Sequence, residues 1–346
     1  MWGELSGIRP VKRAKLMLGR GADSKEIIDA FMRLYGVSEQ KAELTAELAL
    51  RETELLGGLG AKDVCLYIGV PFCKSRCLYC SFVTYGAGLN NKMIPDFVLC
   101  LQKEIRETAK IINGLNLNIV SIYFGGGTPT MLNCEQFAAV FNTLNEHLNL
   151  KNIKEITVEA GRPDTIDKSI LTLLKSCGTT RISINPQTMS DKTLEIIGRR
   201  HTSAQIVQAV NLAKDCGFDN INMDLIAGLP FETVDDFKRT VENVEKLSPK
   251  SITIHTMSVK RGSKLHEKLP DYPTTDSLEV GKMIEYGSEF LKSAGLLPYY
   301  LYRQKYMLAN LENVGYSAKG CECLYNMMIM CEEYSIISLG DRKSVV

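Results

Sequence analysis

Apolar and polar positions follow two rhythms along this chain. Over the first 58 residues the rhythm is helical. Residues 23–36 (DSKEIIDAFMRLYG) and 38–56 (SEQKAELTAELALRETELL) carry apolar side chains three and four apart, and Ser24 and Ser38 suit helix N-caps. After Gly57, Gly58 and Gly60 the pattern changes. Short β-rich runs at 64–70, 118–124, 154–159, 180–185, 220–227 and 250–257 alternate with helical patterns near 92–112, 134–148, 167–176, 191–197, 204–216, 234–246 and 276–294. Strands that are each followed by helix, with few hairpin signals, predict a parallel sheet with right-handed crossovers. Six such units are too few for a closed eight-stranded barrel, which leaves an open partial barrel or a doubly wound sheet.

From 298 the alternation stops. The section 298–340 carries Tyr299, Tyr300, Tyr302, Tyr306, Tyr316 and Tyr325 and is expected to begin another module, its rings packing in a core or lining an aromatic pocket. The expected organisation is a helical segment over 1–60, the strand–helix core over 61–297, the new module over 298–340 and a tail at 341–346.

Composition adds limits. The chain has 346 residues, 45% hydrophobic and 23% charged, enough for a sizeable core. A net charge of +1 gives no global reason to expect nucleic acid or an anionic membrane as partner. No apolar run is long enough to span a bilayer, and the start, MWGELSGIRPVKRAK, is polar and basic rather than a signal peptide. A cytoplasmic protein is the expectation. Of eleven cysteines most stand alone on apolar segments, such as Cys100, Cys177 and Cys216, and read as buried small hydrophobes. A reducing compartment turns the one clustered set towards metal binding.

The unusual residues gather just after strands. The cysteines follow the first run, GGGTPT (125–130) follows the second and Glu159 closes the third. NPQ (185–187) follows the fourth, Asp224 lies in the fifth near GLP (228–230), and His255 lies near the end of the sixth. In parallel α/β architectures those ends form one mouth where ligands bind. Cys73, Cys77 and Cys80 have CxxxCxxC spacing. Three thiolates can hold three irons of a cubane and leave the fourth open. Structural zinc wants four closed ligands, and no further His or Cys is near enough in sequence to complete a set. The glycines let backbone N–H groups approach a carboxylate or amine closely, or form a tight turn with Thr130 or Asn133 capping the next helix. Glu159 is either an acceptor for a ribose or amine, or a rim salt-bridge partner of Arg162. Gln187 and Asp224 are polar groups at the mouth, and His255 is a structural histidine or a substrate contact.

The run YxxxPFCxxxCxYCxF, followed by GGGTPT, VE, RISxxxQ and DLIxGLP over about 65–265, resembles the oxygen-independent coproporphyrinogen III oxidase family of radical S-adenosylmethionine (SAM) enzymes. WGELSGIRP, GRPDTI, RISINPQTM, IGRRHT and YYLYRQKYMLANLENVGY resemble its HemZ-like branch. The resemblance implies an α/β partial (β/α)6 radical SAM barrel, with an N-terminal helical segment and an incomplete C-terminal module. It implies a [4Fe–4S] cluster on Cys73, Cys77 and Cys80, and S-adenosylmethionine at Tyr67, Phe82, Gly125, Gly126, Gly127, Thr128, Glu159, Gln187, Arg199 and Asp224. One electron would break the sulfonium bond, and the 5′-deoxyadenosyl radical would take a hydrogen from a propionate of coproporphyrinogen III. Loss of CO₂ and an electron then gives a vinyl group. His255, Arg303, Gln304 and Lys305 are expected at the tetrapyrrole, with an electron donor and acceptor still to be named. Gly69 and Phe82 stand where many members carry a histidine and a further cysteine, so the resemblance extends to haem chaperones of similar motif. WGELSGIRP lies inside HemZ-like chains and the covering domain stops soon after it starts, so a piece of a longer protein is expected, with DRKSVV as a non-native tail.

Overall fold

The computed structural model describes residues 1–5, 9–82, 87–272, 275–304 and 307–341. Three helices open the chain: α1 (Pro10–Leu18), α2 (Ser24–Tyr35) and α3 (Glu39–Leu56). The first escaped the sequence pattern because its stripe is short and basic, burying only Pro10, Val11 and Ala14. The expected caps are also corrected. Asp23, not Ser24, caps α2 through a reciprocal box with Glu26. Ser38 stands at the N-cap of α3, but its hydroxyl accepts from the terminal ammonium of Met1 at 2.6 Å.

Strands and helices then alternate. The strands are β1 (Asp63–Val70), β2 (Asn118–Gly126), β3 (Glu155–Gly161), β4 (Arg181–Ile184), β5 (Asn220–Ala227) and β6 (Ser251–Thr256). Between them run α4 (Ala87–Gly114), α5 (Cys134–His147), α6 (Lys168–Ser176), α7 (Asp191–Ile196), α8 (Ser203–Asp215) and α9 (Val234–Glu245). The chain finishes with α10 (Lys264–Glu267), α11 (Ser277–Ser293), β7 (Leu297–Tyr302), β8 (Asn313–Ser317), α12 (Leu324–Cys331) and β9 (Ile336–Gly340).

Among the described residues nine strands form one sheet, in the order β7-β8-β6-β5-β4-β3-β2-β1-β9. Strands β1 to β6 are parallel neighbours in chain order, with no reversal. A doubly wound sheet reverses its order at a switch point. Sequential order without reversal is instead the winding of a barrel, here left open. The boundary expected at 298 falls inside β7, and the section beyond it joins both edges of the sheet. β7 and β8 pair antiparallel beside β6, while β9 runs parallel to β1.

Alternation along the strands makes the inner face polar. Ser121 and Tyr123, then Glu155, Thr157 and Glu159, then Arg181, Ser183 and Asn185, then Asn222 and Asp224, lie on one face. Ile122, Phe124, Ile156, Val158, Ile182, Ile184, Ile221 and Met223 lie on the other, in the main apolar core beneath the helices. Cross-strand bonds confirm the shared inner face: Arg181 donates to Ser251 Oγ at 2.8 Å and Asn222 to Ser183 Oγ at 3.2 Å. A second cluster surrounds α12 and contains Tyr67, Tyr123, Tyr299, Tyr300, Tyr325 and Met328. The lone cysteines depart from expectation. Cys100 is exposed and Cys177 and Cys216 are only partly buried, because each sits at the solvent side or end of its helix, whereas Cys65, Cys323 and Cys331 are buried.

Candidate active site

The C-terminal ends of the parallel strands open on one cavity of about 440 Å³. The loop after β1 brings Cys73, Cys77 and Cys80 to its wall. This loop is held by its neighbours rather than by regular structure. Leu78 N–H donates to the Ile197 carbonyl at 2.9 Å and Ser75 Oγ to the Gly198 carbonyl at 3.1 Å, both at the end of α7. Leu265 of α10 donates back to Leu78 at 2.8 Å. Arg162, buried at the end of β3, pairs with Asp164 at 3.0 Å and donates to Ser75 Oγ at 2.7 Å. Glu159 is therefore no salt-bridge partner of Arg162; it accepts from Tyr123 Oη at 2.6 Å.

The glycine segment works differently from the expectation that its N–H groups face a ligand. Gly127 N–H donates to the Val70 carbonyl and Thr128 N–H to the Phe72 carbonyl, each at 2.8 Å. A Cβ on Gly127 would lie 2.6 Å from Phe72 O and 2.9 Å from Val70 O. The glycine lets β2 press against the start of the cysteine loop. Gly125 performs a related service: a Cβ there would meet Tyr123 at 2.9 Å, Tyr67 at 3.1 Å and Glu159 at 3.2 Å. Gly126 and Gly127 line the cavity, and Thr128 Oγ1 lies 3.5 Å from Cys73 Sγ. Burial, with Cys80 and Cys77 nearby, holds the Cys73 thiol above its ordinary range, against the pull of Thr128 and Arg162.

Tyr67, Glu159, Gln187, Arg199 and Asp224 all line the same cavity. Gln187 has φ +69°, in the left-handed region, and is strapped to β5: its N–H donates to the Asp224 carbonyl and its carbonyl accepts from Ile226. A non-glycine residue there costs about 1–3 kcal/mol and persists only where its surroundings enforce it. Arg199 donates to the carbonyls of Asn185 and Pro186. Burial opposes its charge, but Tyr79, Cys77, Asp164 and Asp224 outweigh burial and keep it cationic. Burial likewise opposes ionisation of Asp224, yet His255, Asn222 and Arg181 hold the carboxyl below its usual range. His255 Nε2 is 3.8 Å from Asp224 Oδ2, and Tyr302 Oη is 3.4 Å from His255 Nδ1. Phe82 is a half-exposed rim residue of the cavity.

Gln304 reaches the cavity and Arg303 does not. Its guanidinium lies 5.1 Å from the Trp2 ring and donates to the Leu5 carbonyl at 3.0 Å and to Asn310 Oδ1 at 2.6 Å. It ties the C-terminal section to the start of the chain. Lys305 and Tyr306 lie outside the described residues. At Gly69 an added Cβ would collide with the carbonyl of Asp341, just past β9, so the neighbouring chain takes the space a side chain would use.

Other lining residues were visible in the sequence only as members of a pattern, Tyr325 in the tyrosine-rich section and Asn185 in NPQ. Tyr325 of α12 stacks on Tyr123 with centroids 4.3 Å apart, and Tyr123 stays a phenol donor because burial and Glu159 push its pKa well up. The α12 N-terminus rests on Glu155, whose carboxylate accepts from Leu324 N–H at 3.0 Å and Tyr325 N–H at 3.5 Å. Asn185 Oδ1 and Lys260 are further cavity groups. Arg162 was visible as part of GRPDTI and as a candidate partner of Glu159.

The donor chemistry fits an iron–sulfur group with a small polar ligand. Three thiols from one loop are soft ligands, and Asn185 Oδ1 is buried without a hydrogen-bond partner among the described residues. Among those residues no three His, Cys, Asp or Glu side chains converge as a site for a single metal ion.

A model of the radical SAM superfamily matches residues 67–244, from Tyr67 on β1 into α9. The chain belongs to the radical SAM superfamily. Within it, the chain is similar to the oxygen-independent coproporphyrinogen-III oxidase-like protein HemZ of Bacillus subtilis, 40% identical over 342 residues, covering 98% of this chain and 68% of the relative. It is also similar to the haem chaperone HemW of Haemophilus influenzae, 28% identical over 265 residues, covering 76% and 65%. Coproporphyrinogen III oxidase (HemN) from Escherichia coli, a radical SAM enzyme, shares the fold with TM-score 0.64 at 21% identity, covering 84% of this chain and 66% of that one. The chain thus spans about two thirds of each of these proteins. The radical SAM fold and the HemZ-like branch read from the motifs are both borne out.

Proposed function

We propose that this chain is the radical SAM core of a coproporphyrinogen III dehydrogenase-like enzyme, which converts propionate side chains to vinyl groups by oxidative decarboxylation. The observation that carries this reading is the meeting of the three cysteines with Glu159, Gln187, Arg199 and Asp224 around one cavity. Cys73, Cys77 and Cys80 would hold the [4Fe–4S] cluster, while Tyr67, Phe82, Gly125, Gly126, Gly127 and Thr128 border the space for S-adenosylmethionine. When bound, the two supply a one-electron cleavage that yields a hydrogen-abstracting radical. The chain's own part is orientation and exclusion of water. Gly127 and Arg162 fix the thiol-bearing loop, and Asp224 and Glu159 offer acceptors to the amine or hydroxyl groups of the ligand. The Tyr67–Tyr325–Tyr123 stack walls the cavity against solvent. His255 and Gln304 face the substrate side. The electron donor and acceptor are separate partners, and the setting is cytoplasmic. No described helix is long and apolar enough to cross a membrane.

A second reading, a haem chaperone of the same superfamily, draws on the HemW relative. Anaerobic reconstitution with iron and sulfide counting, then a 5′-deoxyadenosine assay with and without coproporphyrinogen III, separates the two. About four irons per chain with substrate-dependent 5′-deoxyadenosine supports the enzyme. A cluster that never cleaves S-adenosylmethionine, together with tight haem binding, supports the chaperone. Zinc in place of iron refutes both.

A further inference from the structure

Four cationic side chains line the cavity among the described residues: Arg76, Arg162, Arg199 and Lys260. Three are engaged. Arg162 pairs with Asp164, Arg199 bonds the Asn185 and Pro186 carbonyls, and Arg76 donates to the Gly262 carbonyl. Lys260 differs. It is half-buried and forms no ion pair with a carboxylate among the described residues. Its backbone is held by hydrogen bonds at both ends of the loop. Its carbonyl accepts from both Ser263 N–H at 2.9 Å and Ser263 Oγ at 2.7 Å, and that hydroxyl also caps α10 by accepting from His266 N–H at 3.2 Å. The start of the same loop is tied down where Met257 N–H donates to Ala227 and its carbonyl accepts from Leu308, each at 2.9 Å.

A lysine with no anionic partner ordinarily keeps its ammonium in water, because partial burial removes solvation without a compensating ion pair. A lysine on a cavity wall with no acid paired to it among the described residues is poised for an acid that arrives with the ligand. We propose that Lys260 pairs with a carboxylate of the ligand that fills this cavity. The inference rests on the proposed function, which supplies two carboxylate sources: the propionates of the tetrapyrrole and the methionine carboxylate of S-adenosylmethionine. The propionate is favoured by position. Lys260 follows β6, the strand that carries His255 of the proposed substrate side, whereas the glycine segment that borders the space for S-adenosylmethionine follows β2.

The test compares the full chain with Lys260→Gln and Lys260→Arg in three measurements. Coproporphyrin III binding is followed by fluorescence, S-adenosylmethionine binding by equilibrium dialysis on the reconstituted protein, and iron per chain by chemical assay. The expected result for Lys260→Gln is coproporphyrin III binding weakened about tenfold or more, with S-adenosylmethionine affinity and iron unchanged. Lys260→Arg, which keeps the charge, stays within about threefold of wild type. A loss of S-adenosylmethionine affinity alone supports the pairing but assigns it to the methionine carboxylate. Equal affinities for both ligands in all three proteins overturn the inference. So does loss of iron in Lys260→Gln, which would make the lysine a support of the cysteine loop. Wild-type protein that binds no coproporphyrin III fails the proposed function itself; unchanged S-adenosylmethionine affinity in Lys260→Gln then overturns the pairing as well.

Discussion

Gly127→Ala tests whether the glycine segment is there to seat the cysteine loop. The added methyl group would lie 2.6 Å from Phe72 O, 2.9 Å from Val70 O and 3.0 Å from Phe72 C, all backbone atoms that no rotamer change can move. The loop must retreat by several tenths of an ångström, stretching the 2.8 Å bonds from Gly127 and Thr128 to Val70 and Phe72. Each such bond contributes about 1 kcal/mol net, and overpacking typically costs about 1–3 kcal/mol. Partial relaxation leaves a loss of about 2–4 kcal/mol, which at roughly 2 °C per kcal/mol for a chain of this size lowers Tm by about 4–8 °C. The displaced loop carries Cys73, so iron retained after reconstitution should fall as well. Gly281→Ala is the control: it lies within α11 with nothing within 4 Å of the new methyl, and gains about 0.5–1 kcal/mol from helix propensity. Opposite signs for the two substitutions are the expected outcome of differential scanning. A Gly127→Ala protein with wild-type Tm and wild-type iron content would refute the reasoning.

Glu155→Ala removes the carboxylate that accepts from Leu324 N–H under the α12 N-terminus and leaves that buried donor unpaired, costing about 1–3 kcal/mol in urea unfolding; a loss below about 0.5 kcal/mol would sink the assignment. Arg162→Ala frees Ser75 and Asp164 together, and is expected to lower iron per chain more than it lowers Tm, as read by iron assay beside thermal melting. Burial raises Glu52 from 4.5 to about 7, against the pull of Lys15. Between those values the folded state binds a proton that the unfolded chain lacks, so stability falls as pH rises through this window. Glu52→Gln should therefore raise stability at pH 8 on the order of 2–3 kcal/mol and much less at pH 5. Melting curves at the two pH values check the difference, and an equal gain at both would contradict it.

The parts of the molecule that sequence pattern reached are those where local and global order coincide. Each of the six parallel strands was visible because its outward residues are apolar and its ends carry glycine or polar breaks, as in KEITVE and RISI. The inward residues were legible for the same reason: a charged or amide side chain within a buried strand, such as Glu159 or Asp224, has to face either a ligand or a compensating partner. What pattern cannot reach is which of these two it faces. Glu159 turned out to bond Tyr123 rather than Arg162, a choice made by the spacing of β2 and β3 and not by any feature of either strand alone. Arg303 shows the opposite error. Its neighbours suggested a cavity residue, but the guanidinium turns to Trp2 and Leu5, about three hundred residues earlier, and no periodicity encodes a contact of that separation. The section beyond β8 was least legible of all. α12 and β9 are short and their burial comes from docking on the barrel, where Glu155 sits beneath the helix N-terminus and β1 pairs with β9. Local propensity is weak over so few residues, so their structure follows from the barrel's unfilled groups, and the same docking brings Tyr325 onto Tyr123 and closes the cavity wall that the cysteines open.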